Sequence, residues 1–139
     1  MSVLVNDKGF AGDDWTAAIL PVEELAANDG AASLAVDLAS DADPAQLADR
    51  LSGIDMIRVD FPSFADGRGF TIAAMLRRMG FQGRLRARGH VIADQYAMAR
   101  RAGFDEVEIS DDLAHRQPED QWLRRADWQA HNYQARLRG

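Results

Sequence analysis

Residues 55–110 read DMIRVDFPSFADGRGFTIAAMLRRMGFQGRLRARGHVIADQYAMARRAGFDEVEIS, and two periodicities take turns along them. DMIRVDF, GRLRARG and DEVEIS alternate apolar and polar residues with a period of two, as strands do. GFTIAAMLRRMG and ADQYAMARRAG place apolar residues three or four apart, as helices do. Upstream, SLAVDLA adds a strand and DPAQLADRLSG a helix. The resulting order, β-α-β-α-β-α-β over residues 32–110, requires crossover connections and therefore a parallel sheet in an α/β domain. An open layered sheet and a partial β/α barrel both satisfy this order; the open sheet suits so short a chain better.

The flanks extend this core. SVLVNDKGFAGDDW has alternating residues on both sides of Asn6-Asp7-Lys8-Gly9, the signature of a β-hairpin over residues 1–15. LPVEELAAN predicts a short helix with Pro21 near its first turn, closed by Asn28 to Gly30. The tail, residues 116–139, predicts a helix opened by Pro118 with an apolar stripe through Trp122, Ala126, Ala130, Tyr133 and Leu137. Such a stripe suits core packing, a subunit contact in a homo-oligomer, or a partner-docking surface. At 139 residues the chain is the size of one domain, residues 1–139, able to bury a core without disulfide or metal support.

Composition excludes several functions. Cysteine is absent, so the chain has no thiolate nucleophile and cannot hold an iron–sulfur cluster through cysteines. No run of about 18 apolar residues is present, and the N-terminal segment lacks the apolar stretch of a signal peptide, so no membrane span and a cytoplasmic location are expected. The formal charge of −6 argues against general nucleic-acid binding. That charge is uneven: residues 1–66 carry 3 basic and 13 acidic side chains, residues 67–139 carry 13 and 9, and all 13 of those bases are arginine. Arginine suits planar contacts with carboxylate, phosphate or sulfate.

RRMGFQGRLRA and RRAGFDEVEI repeat with 23 residues between Arg77 and Arg100. In each copy arginines fall in the last helical turn, opposite the negative end of the dipole, and Gly80 or Gly103 supplies a left-handed cap. Arg77, Arg78, Arg100 and Arg101 are therefore read as capping and solvating groups.

Ligands in parallel α/β sheets sit beyond the carboxyl ends of the strands, where loops enter helix N-termini. Asp66, Gly67, Arg68 and Gly69 lie at such a place. Two glycines, the free amides of a first helical turn and the Arg68 fork are able to close on an anion; the same glycines also make a tight turn. The spacing Gly67-x-Gly69-x-x-Ile72 only resembles a dinucleotide fingerprint, because Ile72 occupies a position that needs a small residue. In the next crossover Arg84, Arg86 and Arg88 share one strand face, and Asp94 and Gln95 open the following helix. Three arginines on one face need partners, with Asp60 and Asp66 as candidates. The three histidines form no set, and Ser63 has no histidine near it in sequence, so neither a metal site nor covalent catalysis is expected.

From DFPSFADGRGFT through GRLRARGHVIADQ to RRAGFDEVEI the sequence resembles the bacterial family known as domain of unknown function 934. Its pattern is matched by Phe61, Pro62, Asp66, Gly67, Arg68, Gly69, Arg86, Gly89, Asp94, Gln95, Gly103 and Phe104, with Thr71 for the usual serine. The region between Trp15 and Pro44 is shorter than in the family, and Arg84 and Arg88 stand where other residues are typical. The resemblance implies an association with the siroheme sulfite reductase of assimilatory sulfur metabolism, often under an oxidoreductase label. It establishes no catalytic residue. The expectation is a non-catalytic accessory protein of sulfite reduction, with sulfite reductase as partner and a small anionic ligand held by Asp66, Gly67, Arg68, Gly69, Arg86, Asp94 and Gln95. Two alternatives stand beside it: a small oxidoreductase with a soluble nicotinamide or flavin cofactor at the same loops, and an interaction module docking through the aromatic tail.

Overall fold

The computed structural model describes residues 2–25 and 33–128. Among them one mixed sheet of seven strands is ordered β2-β1-β7-β6-β5-β4-β3, from β1 (Ser2–Asn6), β2 (Gly9–Ala11), β3 (Ile19–Pro21), β4 (Ala35–Leu38), β5 (Met56–Phe61), β6 (Arg84–Gly89) and β7 (Glu106–Ser110). The helices are α1 (Arg68–Arg78), α2 (Tyr96–Ala102), α3 (Asp111–Arg116) and α4 (Glu119–Leu123). Strands β3 to β7 are parallel. The expected hairpin, β1 with β2, is present, but it joins the sheet antiparallel, β1 alongside β7. A wholly parallel sheet is therefore corrected to a mixed one. It is open, with β2 and β3 as its edges.

Three local expectations also change. β3 pairs through Ile19, Leu20 and Pro21, too few residues to show a period. The crossover from β4 to β5 is made of two 3-10 turns, Pro44–Leu47 and Leu51–Gly53, in place of an α-helix. Asp43 accepts from the Ala45 amide to open the first of them. The helix expected after Leu20 is a single 3-10 turn, Val22–Glu24, and its remainder lies outside the described residues, as does the tail from 129 onward.

Because β3 to β7 follow one another in space as in sequence, right-handed crossovers put α1 and α2 on the same face. The core bears this out: Val36, Leu38, Ile57, Val59, Phe61, Leu85, Ala87, Val107 and Ile109 pack with Ile72, Ala73 and Leu76 of α1 and with Tyr96 and Ala99 of α2. The intervening residues, Asp37, Arg58, Asp60, Arg84, Arg86, Arg88, Glu106 and Glu108, alternate onto the other face. Among the described residues, the segment 12–18 crosses that face, with Asp13 and Asp14 meeting Arg86 and Arg84. The segment connects β2 to β3, the two opposite edges, over six interstrand spacings of about 4.8 Å. Eight residue steps reach at most about 26–29 Å, so this strap is drawn almost straight.

The repeated arginine, glycine and phenylalanine close α1 and α2 alike. Phe81 N–H donates to Leu76 O and Phe104 N–H to Ala99 O, around Gly80 (φ 101°) and Gly103 (φ 122°). Arg77 donates to the Phe81, Gly83 and Gly103 carbonyls, and Arg100 to that of Phe104, so these two arginines do serve the helix ends. Trp122, on the stripe that suits core packing, a subunit contact or a docking surface, is 1% exposed and packs edge-on to Tyr96, so at this residue it is core.

Gly69 brings α1 onto the sheet. A Cβ there would lie 2.4 Å from Cζ of the Phe61 ring. Gly69→Ala should therefore cost about 1–3 kcal/mol in urea unfolding, despite the better helix propensity of alanine. In a Phe61→Leu background the same change should cost at least about 1 kcal/mol less, a coupling that a double-mutant cycle measures.

Candidate functional site

The Asp66 loop follows β5 and opens α1. Asp66 N–H donates to Ser63 O, and the Asp66 carboxylate turns back to accept from the Arg68 amide (3.1 Å), from Arg68 Nε (3.0 Å) and from Arg68 Nη2 (2.7 Å). Arg68 Nη2 also donates to Ser40 Oγ, 3.0 Å away in the loop after β4. The Arg68 guanidinium and amide hold the Asp66 carboxyl far below the usual carboxylate range. A carboxylate of the chain itself thus occupies the helix end where an external anion would sit. Gly67 has an ordinary φ of −91°, and Gly69 is glycine because the Phe61 ring leaves no room. The glycine pair is accounted for by turning and packing.

The structure separates the remaining candidates. Arg86 is on the strap side of the sheet, its side chain wholly buried, with Nε donating to Glu106 (2.6 Å), Nη1 to Glu108 (2.8 Å), and Nη1 and Nη2 to Asp13 of the strap (3.1 and 3.2 Å). Burial opposes its charge, but three carboxylates outweigh that and raise its pKa above the ordinary arginine value. Asp94 pairs with Arg125 at the surface (2.6 Å). Gln95 clips two loops together: its Oε1 accepts from the Ile92 amide (3.0 Å) and its Nε2 donates to Phe64 O (3.1 Å). So Asp66, Gly67, Arg68 and Gly69 form one helix-side unit that Gln95 touches through Phe64 O of the same loop, Arg86 belongs to a network on the other face, and Asp94 pairs with Arg125 instead.

That network is the salt-bridge cluster that three arginines on one strand face call for, built from other carboxylates than those expected. Arg58 bridges Asp37 (2.6 Å) and Glu108 (3.1 Å), and Arg84 bridges Glu106 (2.8 Å) and Asp14 of the strap. The expected partners of the arginine row were Asp60 and Asp66. The observed ones are Glu106 and Glu108 on β7 with Asp13 and Asp14, while Asp60 only approaches Arg88 at 3.8 Å. EVE at 106–108 alternates in step with RLRAR at 84–88, a signal that was legible had the strands been placed side by side.

Beyond the carboxyl ends of β5, β6 and β7 lies an open groove of about 540 Å³, bordered by Asp60, Arg88, His90, Glu108 and Ser110. Arg88 is its cation. Its side chain is 50% exposed, and its carboxylates stand off at 3.4 Å (Glu108) and 3.8 Å (Asp60). Gly89 beside it has φ 114°, and a Cβ there would meet Phe61 O at 2.7 Å, so the backbone turns where only glycine fits. His90 Nδ1 lies 3.2 Å from Phe61 O, and because a carbonyl only accepts, that nitrogen is the donor of the pair. Among the described residues no group of three His, Cys, Asp or Glu side chains is placed to hold a metal ion, and no helix is long and apolar enough to cross a membrane.

Two consequences are measurable. Arg86→Met would strand Glu106 and Glu108 without their shared cation and should cost about 3–5 kcal/mol, or the fold itself, whereas Arg88→Met at the exposed rim should cost about 0–1 kcal/mol; urea unfolding compares them. Acid should also loosen the strap. In Asp13 partial burial is outweighed by the Arg86 hydrogen bond, and in Asp14 the Arg84 hydrogen bond dominates, so both carboxyls titrate below their ordinary value of about 3.9. The unfolded chain then binds more protons as pH falls below about 4. Stability from these pairs should be complete above about pH 5 and decline below pH 4, and Asp13→Asn should shrink that decline.

No curated protein and no solved structure matches this chain. The family model described as "Bacterial protein of unknown function (DUF934)" matches residues 35–139, from β4 onward, leaving the hairpin and strap outside the match. With well over half its length so matched, the chain belongs to the DUF934 family of bacterial proteins.

Proposed function

We propose that this protein is a non-catalytic accessory factor of assimilatory sulfite reduction and that it meets a small oxyanion in the groove beyond β5, β6 and β7. The link to sulfite reduction comes from what the family resemblance implies. The anion reading is supported by one contrast: Arg86 commits its guanidinium to Glu106, Glu108 and Asp13, while Arg88, two residues along the same strand face, keeps its own half exposed with no carboxylate of the described residues closer than 3.4 Å. A guanidinium so placed gains more from an incoming oxyanion than from its distant neighbours. His90 and the Ser110 hydroxyl border the same space and add polar contacts. Arg68 has a structural role in this reading, tying α1 to the loop after β4 through Asp66 and Ser40.

Isothermal titration with sulfite, sulfate, phosphate, NADPH and FMN tests this. An oxyanion should bind the wild type, bind at least fivefold more weakly to Arg88→Ala, and bind more tightly to Asp60→Asn, which removes a competing carboxylate. Arg68→Ala should change stability and leave this affinity alone. Heat with NADPH or FMN and none with the oxyanions would replace the accessory reading with the cofactor-using one. Silence with all five would remove both.

A further inference from the structure

We propose that the groove has a second compartment and that its ligand joins an oxyanion to a single planar apolar ring. This rests on the anion reading above and narrows it. Next to the large groove is a smaller cavity of about 190 Å³, lined by Phe64, Leu113 and Arg116 and sharing Gly89, His90 and Ser110 with it. The two spaces differ in chemistry: Arg88 dominates one, whereas Phe64 and Leu113 supply apolar surface in the other. His90 stands on the border between them.

Three observations carry the ring. First, Phe64 is 40% exposed, one of three large apolar side chains left open among the described residues, and it opens at the rim. Second, that exposure is held in place. Gln95 Nε2 grips Phe64 O, Asp66 N–H grips Ser63 O, and the Phe64 ring stands edge-on to His90 with centroids 5.1 Å apart at 89°. A loop fastened at three points presents its phenylalanine at little ordering cost to a ligand. Third, size selects the ring. An apolar cavity of about 150 Å³ is known to admit benzene, so about 190 Å³ takes one six-membered ring and leaves little for a fused second one. Arg116 also lines this cavity and adds a second cation beside the ring, which suits an anionic substituent.

The test titrates three probes: inorganic phosphate, phenyl phosphate and benzyl alcohol. Phenyl phosphate should bind wild type at least tenfold more tightly than inorganic phosphate. Phe64→Ala should erase that advantage without changing inorganic phosphate binding, Phe64→Leu should restore part of it, and Arg88→Ala should weaken both phosphates. Amide chemical-shift changes on phenyl phosphate addition should fall on residues 64, 90 and 113. Equal affinity for the two phosphates, or an advantage that survives Phe64→Ala, overturns the ring compartment while the anion site stands. Phenyl phosphate binding lost in both the Phe64 and Arg88 variants, with inorganic phosphate silent, upholds the two-part ligand and removes free inorganic oxyanion as its form. Benzyl alcohol binding as tightly as phenyl phosphate, or silence from all three, overturns both.

Discussion

The fold turns on a buried guanidinium. A sheet wound in one direction receives helices on one face only, so its other face must be solvated, paired or covered, and here Arg86 sits at its centre with no solvent exposure. An isolated charge in that position would cost many kcal/mol, so its partners have to be built into the neighbouring strand and the strap. Glu106 and Glu108 come from β7 and Asp13 from the segment that crosses the face. Arginine suits the role because its planar fork keeps five donors at fixed angles, enough to reach carboxylates on two sides at once, which a lysine ammonium cannot span. The same network orients Arg58 and Arg84 and leaves Arg88, at its end, incompletely matched.

Much of the architecture was legible from periodicity. Strands and helices between residues 55 and 110 fall where the alternation of two and of three to four placed them, since each carries a buried face long enough to show its period. β3 did not show, because three residues ending in a proline display no alternation. The 3-10 crossover in place of a helix reflects Asp43 and Pro44, which open a tight turn as readily as a helix. The antiparallel docking of β1 on β7 is a pairing across almost the whole chain, and local pattern carries no information about it.

Site residues divided along the same line. Arg77 and Arg100 were readable because helix ends are local chemistry. For Arg86 the need for carboxylates was readable but not their identity, which depends on which strands lie side by side and on Asp13 of the strap, 73 residues away. Gly69 shows a different limit: a glycine demanded by packing against an aromatic ring looks, in one dimension, the same as a glycine demanded by a phosphate. Phe64 and Gln95 were visible as letters, but the clip that holds one against the other exists only in three dimensions.

The strap has a temporal corollary. Its clasp needs the ladder of β6 and β7, and β1 needs β7 as its neighbour, so a segment made on the ribosome before β7 must wait for partners such as Val107 and Glu108, far along the chain. Nascent hairpin and strap therefore emerge without a home, and contacts of such long range are slow to form. Their acidic, poorly apolar stretch Gly12-Asp13-Asp14 is well fitted to that interval, because repulsion between carboxylates discourages premature association until the arginines arrive.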